Sequence, residues 1–171
     1  MGPYNYYNQY RYNPNNEPDL HVPWMYTLVG QPWKTSAVLR AAETLFSNAP
    51  NGVTGNDDLG TMSAWYVFSA LGLYPSTPGS GRFLLHEPKF SKAQVDLGNG
   101  KVLRIEKVAA PEPAPVNSLS FIEQLKWNTK PHEKVWLDWD QLQQGGQIRM
   151  QLGSNPAAPH WGSNPKSLPP D

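Results

Sequence analysis

Residues 60–71, Gly-Thr-Met-Ser-Ala-Trp-Tyr-Val-Phe-Ser-Ala-Leu, are apolar on nearly every side, and Gly72 followed by Pro75 supplies the usual stop signal. A helix of that kind must be enclosed, so the rest of the chain has to supply elements that wrap it. At 171 residues the chain is long enough for one domain with a core. Two helices are predicted ahead of the enclosed one. Residues 18–29 open with Pro18 and close at Gly30, with Pro23 drawing the start nearer to itself. Residues 35–47 place Val38, Ala41, Ala42 and Leu45 at i, i+3, i+4 and i+7, which predicts a one-sided, outward-facing helix.

The period changes in the second half. Val95 and Leu97 alternate before a Gly-Asn-Gly turn, and Leu103 and Ile105 after it, which describes a hairpin over 93–105. Residues 119–127, 135–139 and 147–152 continue in strand-like alternation, separated by turn signals. The stretch 108–116 is a Pro-rich connection, and the tail from Asn155 has no periodicity. The expected class is α+β, with helices over 1–78, a small antiparallel sheet over 79–162 and a disordered tail over 163–171.

Fourteen basic residues balance fourteen acidic ones, so there is no field to attract nucleic acid, and a neutral partner is expected. With no cysteine, neither a disulfide framework nor a thiolate metal site is possible. No apolar run approaches the roughly 18 residues of a membrane span, and Met-Gly-Pro-Tyr-Asn lacks the order of an export signal. Twenty aromatic residues among 171 argue for order despite 32 Pro and Gly.

If consecutive helices run antiparallel, the first and third share one rim. Asn15, Asn16, Glu17 and Asp19 precede the first, and Asn56, Asp57 and Asp58 precede the third. Free N–H groups at helix starts favour ionised carboxylates there. Such oxygen ligands suit a hard cation such as Ca2+, and an ionised carboxylate can act as a general base on water. The same residue types are also N-caps, and with Asp57 and Asp58 adjacent, one can cap while the other acts. Trp65, Tyr66 and Phe68 read as core, His21 as a core histidine or a ligand, and Asp138 and Asp140 as solvated.

Residues 55–83, Gly-Asn-Asp-Asp-Leu-Gly-Thr-Met-Ser-Ala-Trp-Tyr-Val-Phe-Ser-Ala and onward, resemble the C-terminal part of glycoside hydrolase family 92, the calcium-dependent exo-acting α-mannosidases. Asn-Asn-Glu-Pro-Asp-Leu-His (15–21), Gly-Gln-Pro-Trp-Lys-Thr (30–35), the Leu-Gly-Asn-Gly-Lys hairpin and the closing 145–162 follow in the family's order, so the likeness covers about residues 5–162. The resemblance implies a β-sandwich paired with an (α/α)6 toroid, residues 5–75 being the toroid's last helices. It implies single-step hydrolysis with inversion. By resemblance, Asp58 is the general base with Asp57 or Asn56 beside it, and Asn16, Glu17 and Asp58 lie at the Ca2+ site. Asn15, Asn56 and His21 are the substrate-binding candidates, and a mannose-containing glycan is the expected partner.

The departures set further expectations. The family's general acid lies upstream of the Asn-Glu-Pro piece, in a segment outside this chain, so Met1 is expected to mark an incomplete reading frame and the chain alone to be inactive. The missing N-terminal part of the enzyme is then a partner, and any export signal of these usually periplasmic or secreted enzymes sits on it. Tyr12, Asn13, Pro14 and Asn15 stand where some relatives bind the leaving-group sugar, so linkage preference does not transfer. Leu59 replaces a small thiol. A calcium-dependent carbohydrate-binding module without catalysis, or an inactive gene remnant, is the alternative.

Overall fold

The computed structural model describes residue 12 and residues 14–98, 100–109, 120–154 and 160–170. Its helical half is less regular than the sequence pattern predicts. In place of one helix over 18–29 there are two 3-10 turns, Glu17–Asp19 and Val22–Trp24, and a four-residue helix α1, Met25–Leu28. Pro18 and Pro23 each fall in the first positions of a 3-10 turn, where a missing N–H costs nothing, and the chain restarts at each.

Helix α2, Pro32–Glu43, begins earlier than expected because Pro32 sits in its first turn. Its buried stripe is Pro32, Thr35, Ser36, Leu39, Ala42 and Glu43. Of the predicted stripe Val38, Ala41, Ala42 and Leu45, only Ala42 is buried; Val38 and Leu45 are half-buried and Ala41 is exposed. The face is set by partners for polar groups: the Thr35 hydroxyl donates to the Pro23 carbonyl at 2.8 Å, and the Ser36 hydroxyl accepts from the Glu87 N–H at 3.1 Å. Buried polar groups with partners are tolerated, and here they outrank the apolar count.

Helix α3, Thr61–Leu71, ends on left-handed Gly72, whose N–H returns to the Phe68 carbonyl. It buries Met62, Trp65, Ser69 and Ala70, while Ala64 and Val67 stay exposed. The helix is therefore enclosed on one side only within this chain.

The strands form two sheets rather than one antiparallel sheet. β1, Leu73–Tyr74, β2, Arg82–Leu85, and β7, Trp136–Asp138, make an antiparallel three-stranded sheet. β3, Lys92–Asp96, β4, Val102–Val108, β5, Phe121–Trp127, β6, Lys130–Pro131, and β8, Gly146–Gly153, make the second, in the order β3-β4-β8-β5-β6. The predicted hairpin is β3–β4, paired from Lys92 with Glu106 to Asp96 with Val102. β4 and β8 run parallel, which corrects the expected antiparallel sheet; the intervening β5, β6 and β7 provide the long crossover that a parallel pair needs. A short helix α4, Trp139–Leu142, with a capping box from Asp138 and Gln141, leads into β8. Asp138 is thus a cap, with Arg82 nearby at 3.9 Å.

One cluster of buried side chains joins helices and sheets, from Trp24, Leu39 and Trp65 through Leu85 and Leu137 to Ile105, Leu125, Ile148 and Met150. The expected disorder over 163–171 is corrected for its described part. Residues 165–167 form a 3-10 turn, Ser167 is buried, and its carbonyl accepts from the Val135 N–H at 2.9 Å. The Arg82 guanidinium donates to the Pro170 carbonyl at 3.0 Å. The Val135 N–H, just ahead of β7, and the Arg82 side chain of β2, partners invisible to periodicity, hold this segment. The Pro-rich stretch from 110 onward lies outside the described residues.

Candidate active site

The two polar loops meet. Gly55 lies so close to Asn15 that a Cβ built on it would stand 2.5 Å from the Asn15 carbonyl oxygen. Behind this contact, the Trp65 indole N–H donates to the Leu20 carbonyl at 3.0 Å, anchoring the segment after Asn15–Asp19 to α3. Trp24 stacks on Tyr74 at 4.0 Å and stands edge-on to Trp65. Of the aromatic run, Trp65 is core as its sequence suggests, while Tyr66 and Phe68 are half-buried and pack against that core.

The loop ahead of α3 is bent sharply. Asp58, Leu59 and Gly60 all adopt left-handed backbone, with φ of 47°, 60° and 96°. Non-glycine residues there are uncommon, and they persist where surroundings over-determine them, often at functional sites. The Asp57 carbonyl accepts from the Gly60 and Met62 N–H groups, and the Asp58 carbonyl accepts from Thr61.

The adjacent acids differ in their surroundings. Oδ1 of Asp57 accepts from the Ser63 N–H at 3.0 Å and from its hydroxyl at 2.8 Å, so Asp57 caps α3 from three residues before the formal cap, Gly60. The Asp58 carboxylate has no hydrogen-bond partner among the described residues. Ser63 was not singled out by the sequence. Its signal is a serine at the third helical position after a left-handed turn, six residues past an aspartate, a spacing that no standard capping motif contains.

Asn16, Glu17 and Asp19 are exposed, and Asn15 is half-buried against Gly55. His21 is also exposed, in front of the Val22–Trp24 turn, which corrects its reading as a core histidine. Asn56 and Asp57 line an open cleft of about 710 Å³ with Phe46, Ser63, Tyr66 and Val67. That size suits a small ligand. Tyr12 packs beside the same rim. Burial, then the neighbouring Tyr74 and Asp19, pushes its phenol far above the usual range, and its hydroxyl has no hydrogen-bond partner among the described residues.

Apart from the His21 imidazole, the ligand groups on the two loops are oxygens: amides on Asn15, Asn16 and Asn56, carboxylates on Glu17, Asp19, Asp57 and Asp58. Their chemistry fits a hard cation. Among the described residues, no three His, Asp or Glu side chains converge on one point, so the amide and carbonyl oxygens would have to share the coordination.

One buried histidine escaped the sequence reading. His86 is fully enclosed; its Nδ1 accepts from the Trp24 indole at 3.3 Å and its Nε2 lies 2.9 Å from the Ser69 carbonyl. Burial lowers its pKa to about 4, so it stays neutral near neutrality and locks the helices to β2 rather than serving chemistry.

The family model for the glycosyl hydrolase family 92 catalytic domain matches residues 2–154. Among solved structures, a family GH92 α-mannosidase from Bacteroides thetaiotaomicron superposes with a TM-score of 0.78 at 30% identity, over 91% of this chain and 20% of its own. A family GH92 inverting mannosidase from the VPI-5482 strain of that organism gives 0.78 at 32%, over 95% of this chain and 21% of its own. An uncharacterized secreted glycosidase of Arthroderma benhamiae is 25% identical over 91% of this chain. This chain spans about a fifth of the length of each.

Proposed function

Because the chain belongs to glycosyl hydrolase family 92, we propose that it forms the C-terminal, base-bearing part of a calcium-dependent, inverting α-mannosidase acting on terminal α-mannosyl residues of glycans. In this reading residues 1–78 are the last helices of an (α/α)6 toroid and residues 79–162 the strand region packed on it. The general acid comes from the remainder of the enzyme, consistent with the four fifths of each relative that this chain does not cover.

The observation that carries the proposal is the backbone contact between Asn15 and Gly55, which unites an amide-and-carboxylate loop with an aspartate pair inside a family 92 match. Asp58 serves as general base. Its carboxylate, without a hydrogen-bond partner among the described residues, has lone pairs free to take a proton from the water that attacks the anomeric carbon. Asn16, Glu17 and Asp58 would hold Ca2+, which when bound supplies positive charge to sugar hydroxyls. Asn15, Asn56 and His21 lie along the rim as hydrogen-bonding partners for the sugar. Asn56 and Asp57 face the open cleft, where the substrate would approach.

The test is mannose release from an α-mannoside by the full-length enzyme carrying this sequence, with the anomer formed first followed by NMR. Asp58→Asn should abolish turnover with the melting temperature unchanged, and a chelator should do the same reversibly. A fully active Asp58→Asn enzyme would refute the base assignment. Calcium-dependent mannose binding by the chain without any turnover in the full-length protein would favour a binding module.

A further inference from the structure

We propose that Ser63 is a positioning residue for hydrolysis, acting on Asp58 through Asp57; the inference rests on the base role given to Asp58 above. The two acids are neighbours in sequence but divide their tasks. Asp57 directs Oδ1 into the start of α3, where the Ser63 N–H and hydroxyl hold it at 3.0 and 2.8 Å, and its carbonyl receives two further N–H groups. Asp58 keeps its carboxylate clear of such bonds among the described residues, while its backbone carries a left-handed φ of 47° followed by 60° at Leu59.

A left-handed pair of non-glycine residues is held only if its surroundings compel it. On one side the loop is pinned by the close approach of Gly55 to Asn15. On the other side it is pinned by Asp57. Without the Ser63 hydroxyl a single N–H would remain on Oδ1, and the Asp57 side chain could swing and let the turn relax. The direction of the Asp58 carboxylate would then drift, although Asp58 itself had lost no contact. Ser63 is exposed on α3, so deleting its hydroxyl opens no cavity and leaves no buried donor unpaired. A substantial effect on turnover could not then be put down to lost packing.

The decisive experiment is kinetic, in the full-length enzyme. Ser63→Ala should lower kcat about 10- to 100-fold with KM within about twofold, as expected for a misdirected rather than a missing group. Ser63→Thr, which keeps the hydroxyl, should recover most of that loss. Asp57→Asn, which keeps an acceptor for Ser63, should turn over at least about tenfold faster than Asp57→Ala. A Ser63→Ala enzyme with wild-type kcat beside an inactive Asp58→Asn overturns the positioning role and leaves the base role standing. An active Asp58→Asn removes both. Should Ser63→Ala fail to melt cooperatively, the Asp57 pair decides: Asp57→Asn and Asp57→Ala equally inactive would make Asp57 a reacting carboxylate and overturn the inference.

Discussion

Gly55 and Asn15 touch backbone to backbone across 40 residues of sequence: a Cβ on Gly55 would lie 2.5 Å from the Asn15 oxygen, 2.9 Å from its Cβ and 3.0 Å from its Cα. All three atoms are close to the main chain, so no side-chain rotation relieves the clash. Gly55 also has φ of +73°, a conformation that costs an L side chain about 1–2 kcal/mol. Gly55→Ala is therefore expected to destabilise the protein by about 2–4 kcal/mol, strain and overpacking together. It should also part the two polar loops. Urea midpoints measure the first effect, and loss of mannoside turnover in the full-length enzyme the second. A variant with unchanged midpoint would show that the loops are not in contact.

His86 makes stability depend on acid in a defined window. Its folded pKa of about 4 lies below the ordinary 6.5, so protons bind the unfolded chain first. Stability from this group is complete above pH 6.5, falls as pH drops toward 4, and is then fully lost, a difference of roughly 3 kcal/mol. His132, also lowered chiefly by burial, acts in the same sense. Glu43 acts in the opposite sense, because desolvation raises its pKa and its protonation at acid pH favours the fold. Denaturant midpoints at pH 7, 6, 5 and 4 should fall for the wild-type chain. They should fall less for His86→Leu, which starts lower because Trp24 and the Ser69 carbonyl lose their partner.

What sequence could and could not reveal follows the range of each signal. The β3–β4 hairpin was legible because Val95, Leu103 and Ile105 alternate around a glycine turn, which is local information. Helix α3 was legible from its apolar run and from Gly72. The buried stripe of α2 was legible only at Ala42, since Thr35 and Ser36 are held by Pro23 and Glu87, distant in the chain. The parallel β4–β8 pair depends on residues about forty apart, and the fixed tail on bonds from Val135 to Ser167 and from Arg82 to Pro170. At the rim, the aspartates and asparagines were visible as residue types. The division of labour between Asp57 and Asp58 was not, because it depends on a left-handed turn followed by Ser63.

Glu87 is the electrostatic hub between α2 and the strands. Its side chain is only 8% exposed, and its carboxylate takes Arg40 at 2.5 Å, Lys107 at 3.1 Å and the Ser120 hydroxyl. Arg40 is 41% exposed, so its own contribution is screened by water. Removing the hub leaves Lys107, which is largely covered, with the Pro88 carbonyl and a longer-range attraction to Glu43 among the described residues. Glu87→Ala should cost about 2–3 kcal/mol and Arg40→Ala under about 1 kcal/mol. Equal losses for the two, measured by thermal melts at low and high salt, would contradict this asymmetry.

Leu59 offers a test of strain separate from any loss of contact. It is fully exposed and holds φ of 60°, so its side chain gains nothing visible from the fold while its backbone sits in a region disfavoured for leucine. Glycine enters that region freely but brings a more flexible unfolded chain, a loss of about 0.5–1 kcal/mol against a relief of about 1–2. Leu59→Gly should therefore leave stability equal or raise it by up to about 1.5 kcal/mol, an unusual result for replacing a large apolar residue. Leu59→Val, whose branched Cβ resists the left-handed region more strongly, should lower it. Together the two melts separate conformation from packing: if glycine destabilises and valine does not, Leu59 is held by contacts and the turn that carries Asp58 is not strained.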